Sequence, residues 1–166
     1  MVLRIVSLVG CVLLALLTIA TDLRGQQQVR EAEGIVRGTV ARSLMLRVPD
    51  QQGHLLGLVE TQGTNESTGT QPFLHAASVR IVETWDFVVG SGSDRGFIIF
   101  TAGADTLVAR YDGTAARKAA GGTEIRGRFT FLRGVGELAG ISGDGSYEGL
   151  ASPQGFDFRW RAAIRQ

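Results

Sequence analysis

From Gly34 to the end of the chain, apolar and polar residues alternate in short runs that are separated by glycine-rich stretches. The clearest run extends from Phe156 to Arg165 and places Phe158 and Trp160 on one face, opposite Arg159 and Arg161. Successive side chains of a strand point to opposite faces, so this pattern predicts a strand with one buried face. No segment keeps a helical period over three turns, which argues against helices in this region.

Eight such runs are present, and each predicts a strand. They are Ile35–Val48, Leu55–Thr61, Val79–Val89, Gly96–Thr101, Asp105–Asp112, Thr123–Leu132, Gly143–Leu150 and Phe156–Arg165. Short connections and one buried face per strand favour an antiparallel sheet that closes on itself, because closure leaves no exposed edge. The sequence therefore predicts an all-β, eight-stranded antiparallel barrel, with a two-sheet sandwich as the alternative.

The first twenty residues have the layout of a secretory signal. Arg4 is followed by an uncharged segment from Ile5 to Ala20, which is short for a membrane-spanning helix of roughly 20 residues. We expect a signal helix over residues 1–20, cleaved after Ala20, and therefore a secreted or periplasmic protein. A retained N-terminal membrane anchor is the alternative. Residues 21–33 are predicted to be a polar tether, and residues 34–166 a single barrel domain.

Composition narrows the class of protein. The chain has 23 Gly and 3 Pro without a collagen-like period, which indicates tight turns and barrel corners. Its 17 basic and 16 acidic residues nearly balance, which argues against a partner such as nucleic acid or an anionic membrane. The lone cysteine, Cys11, lies in the predicted signal, so no disulfide is expected after cleavage. The strong preference for arginine over lysine is typical of a GC-rich, and hence bacterial, genome.

The sequence offers no motif for a metal or a cofactor. His54 and His75 are far apart in the chain and belong to no metal-binding spacing. Ser91 and Ser93 lie outside any G-x-S-x-G motif, and the glycine spacing fits no dinucleotide-binding loop. We therefore expect neither a metal site, a cofactor site nor a nucleophilic serine.

Glu83 is the most informative polar residue, because the alternation from Val79 to Val89 places it on the apolar face of its strand. A buried carboxylate is costly unless it is paired, and burial raises its pKa toward that of a general acid or base. Two structural alternatives remain: Glu83 lies near the mouth of the barrel, or it pairs with an arginine. Tyr111 is a second candidate catalytic residue, since its phase also points inward.

Further residues are candidates for a ligand-binding wall. Glu60 follows Leu56 and Leu58 on one phase, and its position at the strand end favours the rim. Large aromatic side chains form the core by default and line a ligand site where the barrel is hollow. The candidates are Glu60, Trp85, Phe87, Phe129, Phe131, Tyr147, Phe158 and Trp160. A set of arginines is predicted to lie on the outer face with acidic partners across the strands, namely Arg110, Arg126, Arg128, Arg159 and Arg161.

Two segments resemble a known superfamily. The stretch from Arg133 to Gly143, RGVGELAGISG, is similar to the G-G-T-G-x-F-x-x-A-x-G turn and strand of the allene oxide cyclase and dirigent barrels. The stretch from Phe97 to Gly113 resembles the strand, turn, strand and closing glycine of the same superfamily. The resemblance implies a calycin-like barrel with a largely apolar interior, and plant members cyclise or steer reactive hydrophobic intermediates. The catalytic residues of the superfamily have no matching motif in this chain.

Three functional hypotheses follow. The first is a binding protein that holds a small hydrophobic ligand inside the barrel. The second is a cofactor-free cyclase or isomerase in which Glu83 or Tyr111 polarises the substrate. The third is a structural or interaction protein with a filled core. The expected partner is a small hydrophobic molecule, with neither nucleic acid nor, after signal cleavage, a membrane.

Overall fold

The computed structural model describes residues 29–70, 72–152 and 155–166. The described chain forms eight β-strands and one short 3₁₀ helix, at Gly136–Leu138. The strands are β1 (Arg30–Arg47), β2 (His54–Ser67), β3 (Ser78–Val88), β4 (Ser91–Ala102), β5 (Asp105–Arg117), β6 (Thr123–Val135), β7 (Ser142–Ser152) and β8 (Gly155–Arg165).

Each strand pairs antiparallel with the next strand in sequence, and β8 pairs with β1 to close the barrel. The closing register places Arg30 opposite Ile164 and Gly38 opposite Phe156. The prediction of an all-β, eight-stranded antiparallel barrel is confirmed, and the two-sheet sandwich is excluded. The predicted signal helix over residues 1–20 and the cleavage site after Ala20 lie outside the described residues.

Most strands are longer than predicted. β1 begins at Arg30, so residues 30–33 of the predicted polar tether belong to the barrel, and β2 continues to Ser67, past its predicted end at Thr61. The reason is that several glycines lie inside strands, where they permit close approach of a neighbouring strand. A Cβ on Gly63 would come within 2.9 Å of the Gly38 Cα atom, for example. Glycine therefore marks crowded positions in this barrel as well as turns.

The turn between β3 and β4 consists of two residues, Val89 and Gly90, with φ angles of 52° and 79°. Two-residue hairpin turns with positive φ at both positions match the twist of the flanking strands. Gly90 adopts this conformation without strain, whereas a β-branched residue such as Val89 rarely does. Val89 lies at an exposed tip of the barrel, and two more non-glycine residues with positive φ, Leu74 and Ala76, lie in the loop between β2 and β3.

The opposite end of the barrel is filled with side chains, and we call it the packed half. Its members are buried apolar residues from strands and from the loop between β2 and β3: Phe73, Leu74, Phe100, Leu107, Phe131, Trp160 and Ile164. Phe73 packs edge-on against both Phe131 and Trp160, with ring centroids 6.3 Å apart in each case. The loop between β2 and β3 thus closes this end.

The packed half also contains a polar network whose members are paired. Asn65, which is 1% exposed, accepts a hydrogen bond of 2.7 Å from Trp160 Nε1. Its side-chain nitrogen donates to the Leu74 carbonyl oxygen over 2.8 Å. Buried polar groups are stable when both partners are satisfied, so Asn65 joins the closing loop to the barrel wall.

The outer surface carries two unlike regions. Leu44, Leu46, Leu56 and Leu58 are exposed on the outer face of the β1–β2 hairpin, where β1 continues beyond its pairing with β8. The arginines of β5, β6 and β8 that were predicted to face outward do so. Four of these five arginines have an acidic residue directly opposite on a neighbouring strand, as predicted: Glu148 lies opposite Arg126 and Arg159, Asp112 opposite Arg128, and Glu33 opposite Arg161. None of the five arginines forms an ion pair within the described residues.

No helix in the described part of the chain combines the length and the hydropathy needed to cross a membrane.

Candidate functional site

The half of the barrel opposite the packed half contains a cavity of about 530 Å³, and we call this region the cavity half. Its wall combines apolar side chains such as Ile81, Ile98 and Phe158 with the carboxyl groups of Glu83 and Asp94. Binding sites for small molecules commonly enclose about 300–1,000 Å³ and place a few polar groups in an apolar wall. The cavity therefore has the size and the composition of a small-molecule site.

The side chains of Glu83 and Tyr111 meet across β4, which has a glycine, and hence no side chain, at the position between them. The register places Glu83 of β3 opposite Gly96 of β4, and Gly96 opposite Tyr111 of β5. The Tyr111 hydroxyl donates a hydrogen bond to Glu83 Oε2. A Cβ on Gly96 would lie 2.9 Å from the Glu83 Cβ atom, so glycine at this position leaves the two side chains room to approach.

A second pair forms one layer further toward the mouth of the cavity. Asp94 of β4 lies opposite Gly113 of β5, Gly113 opposite Gly127 of β6, and Gly127 opposite Tyr147 of β7. A Cβ on Gly113 would collide with the Tyr147 hydroxyl and would lie 2.7 Å from Asp94 Oδ1. Because β5 and β6 have glycine at these two positions, the Tyr147 side chain can extend toward Asp94.

Burial shifts the acidity of all four groups. Removal from water raises the pKa of Asp94 from 3.8 to about 6, although the nearby Tyr111 and Tyr147 hydroxyls partly oppose this rise. Burial also raises the pKa of Glu83; the hydrogen bond from Tyr111 lowers it, and the charge of Asp94 raises it further. The pKa of each tyrosine is raised, mainly by burial and then by the neighbouring carboxylates. At neutral pH the cavity therefore holds neutral phenols beside at least one ionised carboxylate.

Three buried side-chain atoms in the described residues have no hydrogen-bond partner in the protein: Thr61 Oγ1, Asp94 Oδ1 and the Tyr147 hydroxyl. All three residues line the cavity. The Tyr147 hydroxyl lies near Asp94 but outside hydrogen-bonding geometry with it. Because unpaired buried polar groups are costly, their concentration at one cavity indicates a site built to contact a bound molecule.

Aromatic rings surround the carboxyl groups. Trp85 lies directly opposite Asp94 in the β3–β4 register and stacks on Phe87 at 5.2 Å between ring centroids. Tyr147 packs edge-on against Tyr111 at 5.7 Å and contacts Phe158 at 5.3 Å. These rings make the site apolar except at the carboxyl and hydroxyl groups.

The structure brings together most of the residues that the sequence singled out. Glu83, Trp85, Phe87, Tyr111, Tyr147 and Phe158 all line the cavity. Phe129, Phe131 and Trp160 point inward but belong to the core around the packed half, where they are 3–5% exposed.

Glu60 lies elsewhere, and its predicted position at a ligand-binding rim needs correction. Glu60 alternates in step with Leu56 and Leu58, and all three side chains lie on the outer face of β2. There Glu60 accepts a hydrogen bond of 2.8 Å from Arg80 Nε and lies 3.7 Å from Arg42 Nε. The hydrogen bond from Arg80 and the charges of both arginines lower the pKa of Glu60, as is usual for a surface carboxylate in an ion pair.

Sequence reasoning missed Asp94 and Thr61. The fourth strand was predicted to begin at Gly96, but β4 begins at Ser91, and the turn before it is limited to Val89 and Gly90. The signal was present in the phase, since Gly92, Asp94 and Gly96 continue the inward series of Ile98 and Phe100. Thr61, the last residue of the predicted strand Leu55–Thr61, likewise points inward in step with Val59.

The two histidines lie outside the cavity. His54, at the start of β2, bonds to Asp50 through Nδ1 at 2.6 Å and to Asp86 through Nε2 at 2.9 Å. The bonds to Asp50 and then Asp86 raise the pKa of His54, so this contact fastens the β1–β2 loop to β3. No group of three potential metal ligands occurs within the described ranges.

Comparison with known proteins supports the architecture. No protein-family model matches the chain, and no curated protein matches its sequence. A solved structure, that of the pterocarpan synthase dirigent protein GePTS1, aligns with a TM-score of 0.51 over 87% of this chain and 92% of that chain. The two chains share a fold. At 9% sequence identity, the similarity to this dirigent protein extends to the barrel and not to particular residues.

Proposed function

We propose that this protein binds a small hydrophobic molecule inside the barrel, with a polar group of the ligand against Asp94 and Tyr147. The observation that carries the proposal is an apolar cavity whose wall contains all three residues with an unpartnered buried polar side-chain atom in the described part of the chain. An apolar wall contributes affinity, while a few fixed polar groups orient the ligand. The cavity counts against the alternative of a structural protein with a filled core.

The barrel of a dirigent protein supports the same proposal at the level of architecture, because the aligned structure is that of a dirigent protein named as a pterocarpan synthase. We also propose that the barrel is calycin-like in its use of the lumen as a ligand site. Eight-stranded barrels are just wide enough to enclose either packed side chains or one small ligand. In this chain, the two arrangements occupy opposite halves of one barrel.

Two adjacent alanines provide a matched test of lumen binding. Ala115 is buried and lines the cavity, whereas Ala116 is exposed on the outer face of the same strand. We expect Ala115→Trp to fill the cavity and abolish the fluorescence enhancement of N-phenyl-1-naphthylamine, a neutral hydrophobic probe. Ala116→Trp should leave this enhancement unchanged.

Circular dichroism establishes that each variant is folded, and the smaller pair Ala115→Leu and Ala116→Leu serves where tryptophan disrupts the barrel. If the wild-type protein fails to enhance the probe, or if the Ala115 and Ala116 variants respond alike, the lumen is not the site. Native mass spectrometry of protein recovered from its own host would then identify a co-purified molecule.

Acid–base catalysis on the bound molecule is the second candidate function. It is favoured by Asp94, whose pKa of about 6 suits proton transfer near neutral pH, and by Glu83, which carries a hydrogen bond that Asp94 Oδ1 lacks. One carboxyl group can donate a proton and another can accept one, so an isomerisation or cyclisation needs no cofactor. Conversion of a co-purified molecule to an isomer of equal mass by the wild type, and not by Asp94→Asn, would establish this activity.

We further propose that the protein is exported from a bacterial cell. The support is the N-terminal sequence, in which Arg4 precedes the uncharged segment from Ile5 to Ala20. N-terminal sequencing of secreted protein should begin at Thr21. An intact Met1 in a membrane fraction would instead establish the alternative, an N-terminal anchor.

A further inference from the structure

The cavity has an uneven charge. Its described lining contains two carboxyl groups, Glu83 and Asp94, and a single basic residue, Arg117. Arg117 is the last residue of β5 and is exposed at the mouth, whereas Glu83 and Asp94 are each 8% exposed. Buried charges in proteins are generally paired, and in this cavity no cationic side chain of the described chain is placed to pair with Asp94.

Asp94 lines the cavity without a cationic protein partner. Its Oδ1 atom is buried beside Gly113 and accepts no hydrogen bond from the described protein, while Glu83 already accepts one from Tyr111. Because the pKa of Asp94 is raised only to about 6, the group is mostly ionised at neutral pH. The wall of the cavity therefore carries a buried negative charge that has no counter-charge in the described chain.

The surrounding rings add to the same preference. Trp85 lies opposite Asp94, and Tyr111 and Tyr147 lie beside the two carboxyl groups. The face of an aromatic ring carries negative charge and attracts a cation within about 6 Å of the ring centre. An anion bound at this position would be repelled by the Asp94 carboxylate, and a neutral molecule would leave that carboxylate without a counter-charge.

We propose that the ligand of this cavity is a hydrophobic organic cation, such as an alkyl- or arylalkylammonium ion, whose nitrogen pairs with Asp94 while its apolar body lies against Trp85 and Phe158. This inference rests on the proposed lumen binding and adds the charge of the ligand to it. The ammonium group supplies the counter-charge that the Asp94 carboxylate lacks in the described protein. Tyr147 and Thr61, which also carry a buried polar atom without a described partner, lie in the same cavity wall.

The test is a panel of three ligands with the same chain and different charge: octylammonium, octan-1-ol and octanoate. Isothermal titration calorimetry at pH 7.5 measures each Kd for the full-length protein and for two variants. Asp94→Asn removes the charge with little change in shape. Asp157→Asn, at an exposed position on the outer face of β8, is the matched control for the same chemical change.

We expect the wild type to bind octylammonium about tenfold or more tightly than octan-1-ol, and octanoate most weakly, because charge-assisted hydrogen bonds are roughly twice as strong as neutral ones. Asp94→Asn should remove the preference for octylammonium while octan-1-ol still binds, and Asp157→Asn should retain the preference. Octan-1-ol or octanoate binding as tightly as octylammonium to the wild type would overturn the charge inference and leave lumen binding intact. Binding of none of the three, together with the absence of N-phenyl-1-naphthylamine enhancement, would overturn both.

Discussion

The packed half and the cavity half of the barrel are built from the same alternation but treat buried polar atoms in opposite ways. In the packed half, Asn65 satisfies both Trp160 and the Leu74 carbonyl, and the aromatic rings fill the interior. In the cavity half, Asp94, Tyr147 and Thr61 each leave a buried atom without a protein partner. One half is organised for stability, whereas the other accepts a cost in stability that a bound molecule can offset.

Loss of the Asn65 network should produce the largest effect. Asn65→Ala leaves Trp160 Nε1 and the Leu74 carbonyl oxygen unpaired, so we expect the free energy of unfolding to fall by about 3–4 kcal/mol. Urea denaturation monitored by tryptophan fluorescence measures this change. Thr64→Ala, at the adjacent outward position, should cost less than about 1 kcal/mol. Equal losses in the two variants would show that the network does not stabilise the packed half.

A change of opposite sign is expected in the cavity half. Because burial raises the pKa of Asp94 from 3.8 to about 6, its folded form holds a proton more tightly than its unfolded form. Its contribution is therefore favourable below pH 4 and is lost as the pH rises through about 6. Asp94→Asn should raise the free energy of unfolding by up to about 3 kcal/mol at pH 7.5, and by little at pH 4.

Denaturation of both proteins across this pH range measures the difference, and each comparison is made at one pH so that the contributions of titratable groups remote from Asp94 cancel. A variant that is less stable than the wild type at pH 7.5 would show that Asp94 is well paired. The contrast between the two halves would then fail.

Glycine at position 113 should be required by Tyr147. Gly113→Ala places a methyl group against the Tyr147 hydroxyl, and overpacking of this kind costs about 2 kcal/mol. In a Tyr147→Phe background, the same substitution should cost at most half as much, because the colliding oxygen is gone. A thermodynamic cycle from urea denaturation tests this expectation. Equal costs in the two backgrounds would assign the glycine to another contact, such as that with Asp94 Oδ1.

The two cavity tyrosines should differ by a smaller amount. Tyr111→Phe removes the hydrogen bond to Glu83 and should cost about 1–2 kcal/mol. Tyr147→Phe removes a hydroxyl that has no partner, so its effect should be close to zero or stabilising by about 1 kcal/mol. Thermal unfolding of the two variants side by side measures the difference, and a larger loss for Tyr147→Phe would reverse the assignment.

The barrel itself could be predicted from the sequence because alternation records which face of each strand is buried. The inward positions of Glu83, Tyr111, Tyr147 and Trp85 followed from that phase alone. The pairing of Glu83 with Tyr111 did not, because it depends on the register that places Gly96 between them. Whether a side chain points inward depends on its own strand, whereas this contact depends on the register of three strands, β3, β4 and β5.

The division of the interior could not be predicted either. Phe129 and Phe158 have the same residue type and the same inward phase, yet only Phe158 lines the cavity. What separates them is the loop between β2 and β3, whose Phe73 fills the end of the barrel near Phe131. The prediction for Glu60 was wrong for a related reason. Glu60 alternates in step with Leu56 and Leu58, and leucines are normally taken to face the core, but these two are exposed on the β1–β2 hairpin.

The order of the strands in the barrel shows which strand pairing closes the cavity. Seven of the eight pairings join strands that are adjacent in the chain, and the pairing of β1 with β8 alone joins the two ends. Both strands of this seam line the cavity, through Thr39 and Val40 of β1 and Phe156 and Phe158 of β8. A molecule that bound in the lumen would contact both sides of the seam, so it would stabilise the closed barrel and make the stability of the whole fold rise with its concentration.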